Sequence, residues 1–139
     1  MKKRPSWHEY FMKMALLAAE RSTCLRRQVG AVLVKNNQII ATGYNGTPKG
    51  IEHCQVAGCM REQLNVPSGE KHELCRGVHA EQNTIIQAAL SGTSIAGAAL
   101  YSITFPCSIC ARMIVNAEIS TVYVLEDYPD VLSKEIFVE

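Results

Sequence analysis

The sequence predicts a mixed α/β sandwich, and three observations point there. An amphipathic helix pattern comes first, two β-branched runs joined by a polar turn follow it, and a strand–helix–strand succession fills the later part of the chain. The hairpin requires antiparallel pairing. A strand–helix–strand unit requires a parallel pair with its helix packed on a sheet face.

Each element can be justified in order. Pro5-Ser6 followed by Glu9 reads as a capping box with Ser6 at the N-cap. Behind it Trp7, Tyr10, Phe11, Met14 and Leu17 or Ala18 recur at helical spacing, predicting a helix to about Arg21. Residues 28–34 (QVGAVLV) read as a strand, Lys35-Asn36-Asn37-Gln38 as a turn, and 38–44 as the returning strand. Residues 45–50 (NGTPKG) are a loop by composition. A helix is expected over 80–90, stopped by Gly92, then a strand over 98–103, a helix over 107–116 and a strand over 121–125. The irregular stretch 51–78 is long for a structureless loop, so it is expected to be functional or tied down.

With 139 residues, 47% of them hydrophobic, the chain suits one domain over 1–139 with that Cys/His-rich insert. A net charge of +1 gives no basic excess for a nucleic-acid surface. Lys2, Lys3, Arg4 and the pair Arg26–Arg27 are local spots that suit solvated surface or a small phosphate site. No apolar run approaches the roughly 20 residues of a membrane span, and Glu9, Lys13 and Glu20 interrupt any signal-peptide core. The expected location is therefore cytoplasmic, where the six cysteines would serve as metal ligands or reactive thiols.

Two segments carry the chemistry: His79-Ala80-Glu81 and Pro106-Cys107-Ser108-Ile109-Cys110. Both fall at expected helix starts. Cys107 and Cys110, three apart, share one face of a first turn, where the helix dipole favours thiolates. Pro106 fits a helix entrance. If the two helices pack on one side of the sheet, their N-termini converge. One imidazole and two thiolates then make three zinc ligands with a fourth position open for water, whose pKa zinc lowers toward about 7. Glu81 is placed to move protons as a general acid/base.

Neither piece is specific alone. His-x-Glu is common by chance, and Cys-x-x-Cys also marks redox pairs and structural zinc sites. The joint pattern, with one strand between the two helix starts, is the signature of zinc nucleobase deaminases.

On these motifs the chain resembles the cytidine and deoxycytidylate deaminase superfamily, in its dCMP deaminase branch. Val29-Gly30-Ala31-Val32, Gly43-Tyr44-Asn45-Gly46, His79-Ala80-Glu81-Gln82-Asn83 and Pro106-Cys107-Ser108-Ile109-Cys110-Ala111 carry the resemblance. It runs from about Trp7 to Tyr128. The Gly-Tyr-Asn-Gly loop with Pro48 and Gly50 points to the dCMP branch.

The resemblance implies a three-layer α/β/α sandwich on a mixed sheet of about five strands. It also implies hydrolysis of dCMP to dUMP and ammonia for thymidylate synthesis, zinc on His79, Cys107 and Cys110, and Glu81 as proton shuttle. Asn45 matches an asparagine that contacts the sugar, though a turn residue beside Gly46 reads equally well. A monophosphate needs a cation, for which Arg27 is the candidate with Arg26 close behind; Tyr128 is placed to cap the nucleotide. Relatives continue past the fourth strand with a helix and a fifth strand. Here residues 129–139 leave room for a helical turn or two and a strand at 136–138, so the last strand is expected short or missing.

Cys24, Cys54, Cys59 and Cys75 remain, with His53 and His72 nearby. Some relatives hold a second, structural zinc in this insert, and these four cysteines are the expected ligands, either histidine being a substitute; free buried thiols are the rival. The resemblance further implies a homo-oligomer, hexamer favoured, and control by dCTP and dTTP. Other substrates on the same chemistry are cytidine, guanine or a tRNA adenosine, the last opposed by the neutral charge. A non-catalytic zinc-binding accessory protein of the competence type is the alternative from another class, and Glu81 argues against it.

Overall fold

A computed structural model describes residues 3–25, 27–50 and 77–126. The elements are α1 (Trp7–Ala19), β1 (Gly30–Lys35), β2 (Gln38–Tyr44), α2 (Ala80–Leu90), β3 (Ala99–Thr104), α3 (Ser108–Asn116) and β4 (Thr121–Glu126). The sheet order is β2-β1-β3-β4. β1 is antiparallel to both β2 and β3, and β3 is parallel to β4. The expected mixed sandwich is therefore present, with four strands among the described residues; the fifth, expected at 136–138, lies outside them.

Local chemistry explains the boundaries. Ser6 Oγ accepts the Glu9 amide at 3.2 Å while Glu9 Oε1 accepts the Ser6 amide at 3.5 Å, closing the capping box. Helix α1 ends at Ala19 rather than near Arg21. Beyond it the amides of Glu20, Arg21 and Ser22 bond three residues back, a tighter turn that delivers Ser22 to the sheet. Asn36 and Asn37 both take positive φ (53° and 58°) between the paired Lys35 and Gln38. That is the two-residue hairpin turn whose twist matches the strands, and asparagine tolerates it. Gly92 ends α2 at φ 72°. Its amide bonds Ala89 O and that of Thr93 bonds Ala88 O, a Schellman closure.

The two sheet faces are packed differently. Val32, Val34 and Tyr101 enclose Phe11 of α1. Their neighbours Ala31, Leu33 and Leu100 point to the other face, where the core includes Ala80, Ala88, Cys110 and Ile114 of α2 and α3. Gly43 sets how close α2 lies: a Cβ there would fall 2.6 Å from the Thr84 amide and 2.9 Å from Ala80 O. Any side chain would push the His79 end of α2 off the sheet. No helix among the described residues is long and apolar enough to cross a membrane.

Candidate metal centre and its polar junction

Both helix starts are built as expected, with one refinement. His79 is the N-cap of α2 and Cys107 the N-cap of α3, each in extended backbone, and Cys110 sits in the first turn of α3. Cys107 is thus just outside the helix that was expected to begin with it. An N-cap has non-helical dihedrals, so its side chain projects past the helix end. Because β3 leads into α3 and α2 packs beside it, the two ends meet.

His79 Nδ1 lies 3.3 Å from Cys107 Sγ and 3.3 Å from Cys110 Sγ. The three ligand atoms all fall within 4.8 Å of one another. Tetrahedral zinc, with bonds of about 2.3 Å to sulfur and about 2.0 Å to nitrogen, holds such ligands about 3.5 Å apart. The donor set and its spacing therefore fit zinc.

The protonation chemistry agrees. The Cys107 thiol is held down at about 4, first by the hydrogen bond from Cys110 and then by His79. Cys110 is pushed up because it donates that bond, is buried and faces Glu81. A cation bound between the two sulfurs would displace the proton that Cys110 holds. Glu81 is only 4% exposed. Burial raises its carboxyl to about 7, with His79 pulling the other way. A carboxyl that holds a proton near neutrality beside the metal ligands can both accept and donate one.

The support around His79 includes residues that sequence reasoning passed over. Gln82 Oε1 accepts the His79 amide at 2.9 Å. Asn83 Nδ2 donates to Tyr44 O at 2.8 Å. Buried Thr84 donates Oγ1 to Ala80 O at 2.7 Å. Gln82 was findable: a glutamine three residues past an N-cap is a capping-box partner. Across from them Gly46 and Val78 form a bridge, Gly46 N to Val78 O at 3.1 Å and Val78 N to Gly46 O at 2.6 Å. The Gly-Tyr-Asn-Gly loop is so tied to the entrance of α2. Its Gly43, Tyr44 and Gly46 also line a groove of about 700 Å³ with Lys49, Asn83 and Gln87.

Asn45, expected as a sugar contact or a turn residue, also joins β1 to β2. Its backbone N–H donates to Val29 O at 3.1 Å, continuing the β1–β2 ladder. Its side-chain Oδ1 then accepts the Val29 amide at 2.8 Å, standing where a ladder carbonyl would. This is why β1 begins at Gly30 rather than at residue 28. Nδ2 donates to Arg27 O at 2.8 Å, and Ser22 Oγ donates to Oδ1 at 2.6 Å. Asn45 and Arg27 are thus neighbours, but the bond uses the arginine backbone. Ser22 left no signal in the sequence. Cys24 is a free, half-buried thiol whose amide donates to Ser22 Oγ at 3.2 Å. Arg26 and Tyr128 lie outside the described residues, as do His53, Cys54, Cys59, His72 and Cys75.

Comparison with known proteins follows the same lines. Residues 5–126 match the cytidine and deoxycytidylate deaminase zinc-binding region. Deoxycytidylate deaminase of Schizosaccharomyces pombe is 44% identical over 86% of the chain, which spans 37% of that protein. The chain spans less than two fifths of the two yeast deoxycytidylate deaminases it matches, at 37% and 39%. Deoxycytidylate deaminase of Mycobacterium phage D29 is 37% identical over 86% of the chain and 94% of its own length. The dCMP deaminase of cyanophage S-TIM5, solved with dCMP and dUMP, superposes with a TM-score of 0.81 at 33% identity, covering 99% of this chain and 93% of that one.

Proposed function

The chain belongs to the cytidine and deoxycytidylate deaminase family, and from that premise we propose that it hydrolyses dCMP to dUMP and ammonia. The observation that carries the reading is His79, Cys107 and Cys110 gathered around one ion's volume with buried Glu81 beside them. These three side chains would hold zinc, which when bound acidifies water and supplies the hydrolytic nucleophile. Glu81 takes the proton from the attacking water at its carboxylate and delivers it to the pyrimidine ring nitrogen. It then takes the remaining proton of the added hydroxyl and gives it to the departing amine, so that ammonia leaves and the carbonyl of dUMP forms. The relatives named for deoxycytidylate and the structure solved with dCMP and dUMP support the choice of substrate.

We assign the sugar to Asn45, the phosphate to Arg27 and a capping role to Tyr128. Cys24, Cys54, Cys59 and Cys75 would hold a second, structural zinc. The chain reads as one domain with an insert at 51–78. We place it in the cytoplasm as a homo-oligomer, a hexamer, on the family resemblance.

The test is deamination of dCMP against cytidine and deoxycytidine, followed by loss of the cytosine absorbance. Turnover of dCMP well above both nucleosides is expected. Equal rates on all three would remove the phosphate from the reading. A metal count on the same protein expects two zinc ions per chain, and a count of one would remove the second site.

A further inference from the structure

Ser22 sits in the tight turn after α1, buried to 6% exposure, and its hydroxyl reaches two oxygens of Asn45. The Cys24 amide donates to Ser22 Oγ at 3.2 Å and occupies a lone pair. The hydroxyl proton is therefore turned to Asn45, whose Oδ1 lies at 2.6 Å and carbonyl oxygen at 2.8 Å.

The Val29 amide and the Arg27 carbonyl set which way the asparagine amide faces, and Ser22 holds the residue in that place by its side-chain and backbone oxygens. Oδ1 receives two donors, Ser22 Oγ and the Val29 amide, while Nδ2 faces the Arg27 carbonyl. A flipped amide would set N–H against N–H and oxygen against oxygen. With Oδ1 facing two donors and one Nδ2 hydrogen spent on Arg27, a single N–H of the side chain has no partner among the described residues. Asn45 can then only donate to a ligand.

We propose that Ser22 is a positioning residue for the nucleotide sugar: its hydroxyl locks Asn45 so that the remaining Nδ2–H meets a sugar hydroxyl oxygen. The inference rests on the proposed dCMP chemistry and deepens its substrate side. A contact that holds substrate equally in ground and transition states changes KM and leaves kcat alone.

The experiment is a double-mutant cycle of Ser22→Ala and Asn45→Ala, with KM, kcat, zinc content and melting temperature measured for each protein. Ser22→Ala is expected to raise KM for dCMP about tenfold, the scale of one lost buried hydrogen bond, with kcat changed less than about twofold and zinc retained. In the Asn45→Ala background the same change should move KM less than about twofold, because the residue it acts through is gone. If Ser22→Ala does not fold, Ser22→Cys, which fills the space with a weaker donor, replaces it in the cycle with the same expected results. An unaltered KM in the single variant overturns the role, and so does an equal rise in both backgrounds. Wild-type turnover of dCMP is read first. Its absence overturns the reaction and this inference with it, whereas wild-type turnover with an unaltered KM in the Ser22 variant overturns the Ser22 role alone.

Discussion

The metal ligands and the Asn45 junction meet across the Gly46–Val78 bridge, yet they are assembled from opposite materials. The ligand set uses side chains whose chemistry is nearly single-purpose: an imidazole and two thiols, each at a helix start. The junction uses the commonest groups in any protein, a hydroxyl, an amide and the backbone of residues 27–29. The first is defined by what its atoms bind, the second by which segments it joins. Variants should separate the two: changes in the ligand set act on metal and kcat, and changes in the junction act on stability and KM.

The largest effects belong to the metal side. Cys110→Ala should bind less than one zinc at the catalytic centre and lose measurable dCMP turnover, read by metal content and ammonia release. Zinc retention at the wild-type level would show that the three-ligand set is wrong. Next comes Glu81→Gln, which should retain zinc and fold while kcat falls about 10²–10⁴-fold, the usual worth of a general acid/base. Turnover at the wild-type rate would remove Glu81 from the proton path.

The junction comes third. Asn45→Ala removes the bonds to the Val29 amide and the Arg27 carbonyl, so stability should fall by about 1–3 kcal/mol in denaturant unfolding, with zinc content unchanged. Parallel loss of zinc would erase the distinction between the two regions. Gln82→Ala sits on the boundary: it frees the His79 amide and should cost about 1 kcal/mol, with a modest weakening of zinc affinity. The smallest change lies in the sheet between them. Ser102 Oγ is buried with no hydrogen-bond partner among the described residues. Ser102→Ala should therefore raise the melting temperature slightly and leave kcat and KM as they are. A fall in either would mean that this hydroxyl serves the site.

The same contrast explains what could be read from the chain beforehand. Every described helix and strand was legible within two residues, because capping at Ser6, the Asn36-Asn37 turn and the Gly92 stop are local signals. The ligand set was legible too, since few residue types can do what His79, Cys107 and Cys110 do. Asn45 was legible as a residue of interest but not as a joint between two strands. A side-chain oxygen replacing a ladder carbonyl exists only once β1 and β2 have paired, and serine at position 22 looks like any helix-end serine until that pairing brings Asn45 to it. The short shift at the start of β1 has the same origin.

Zinc titration into metal-stripped protein, with dUMP formation followed at each step, tests the central claim most directly. Turnover should be absent without metal, rise as the catalytic centre fills, and stay absent at every zinc level in a His79→Ala variant. Full dUMP formation by the metal-free protein, or by the His79 variant, would contradict it.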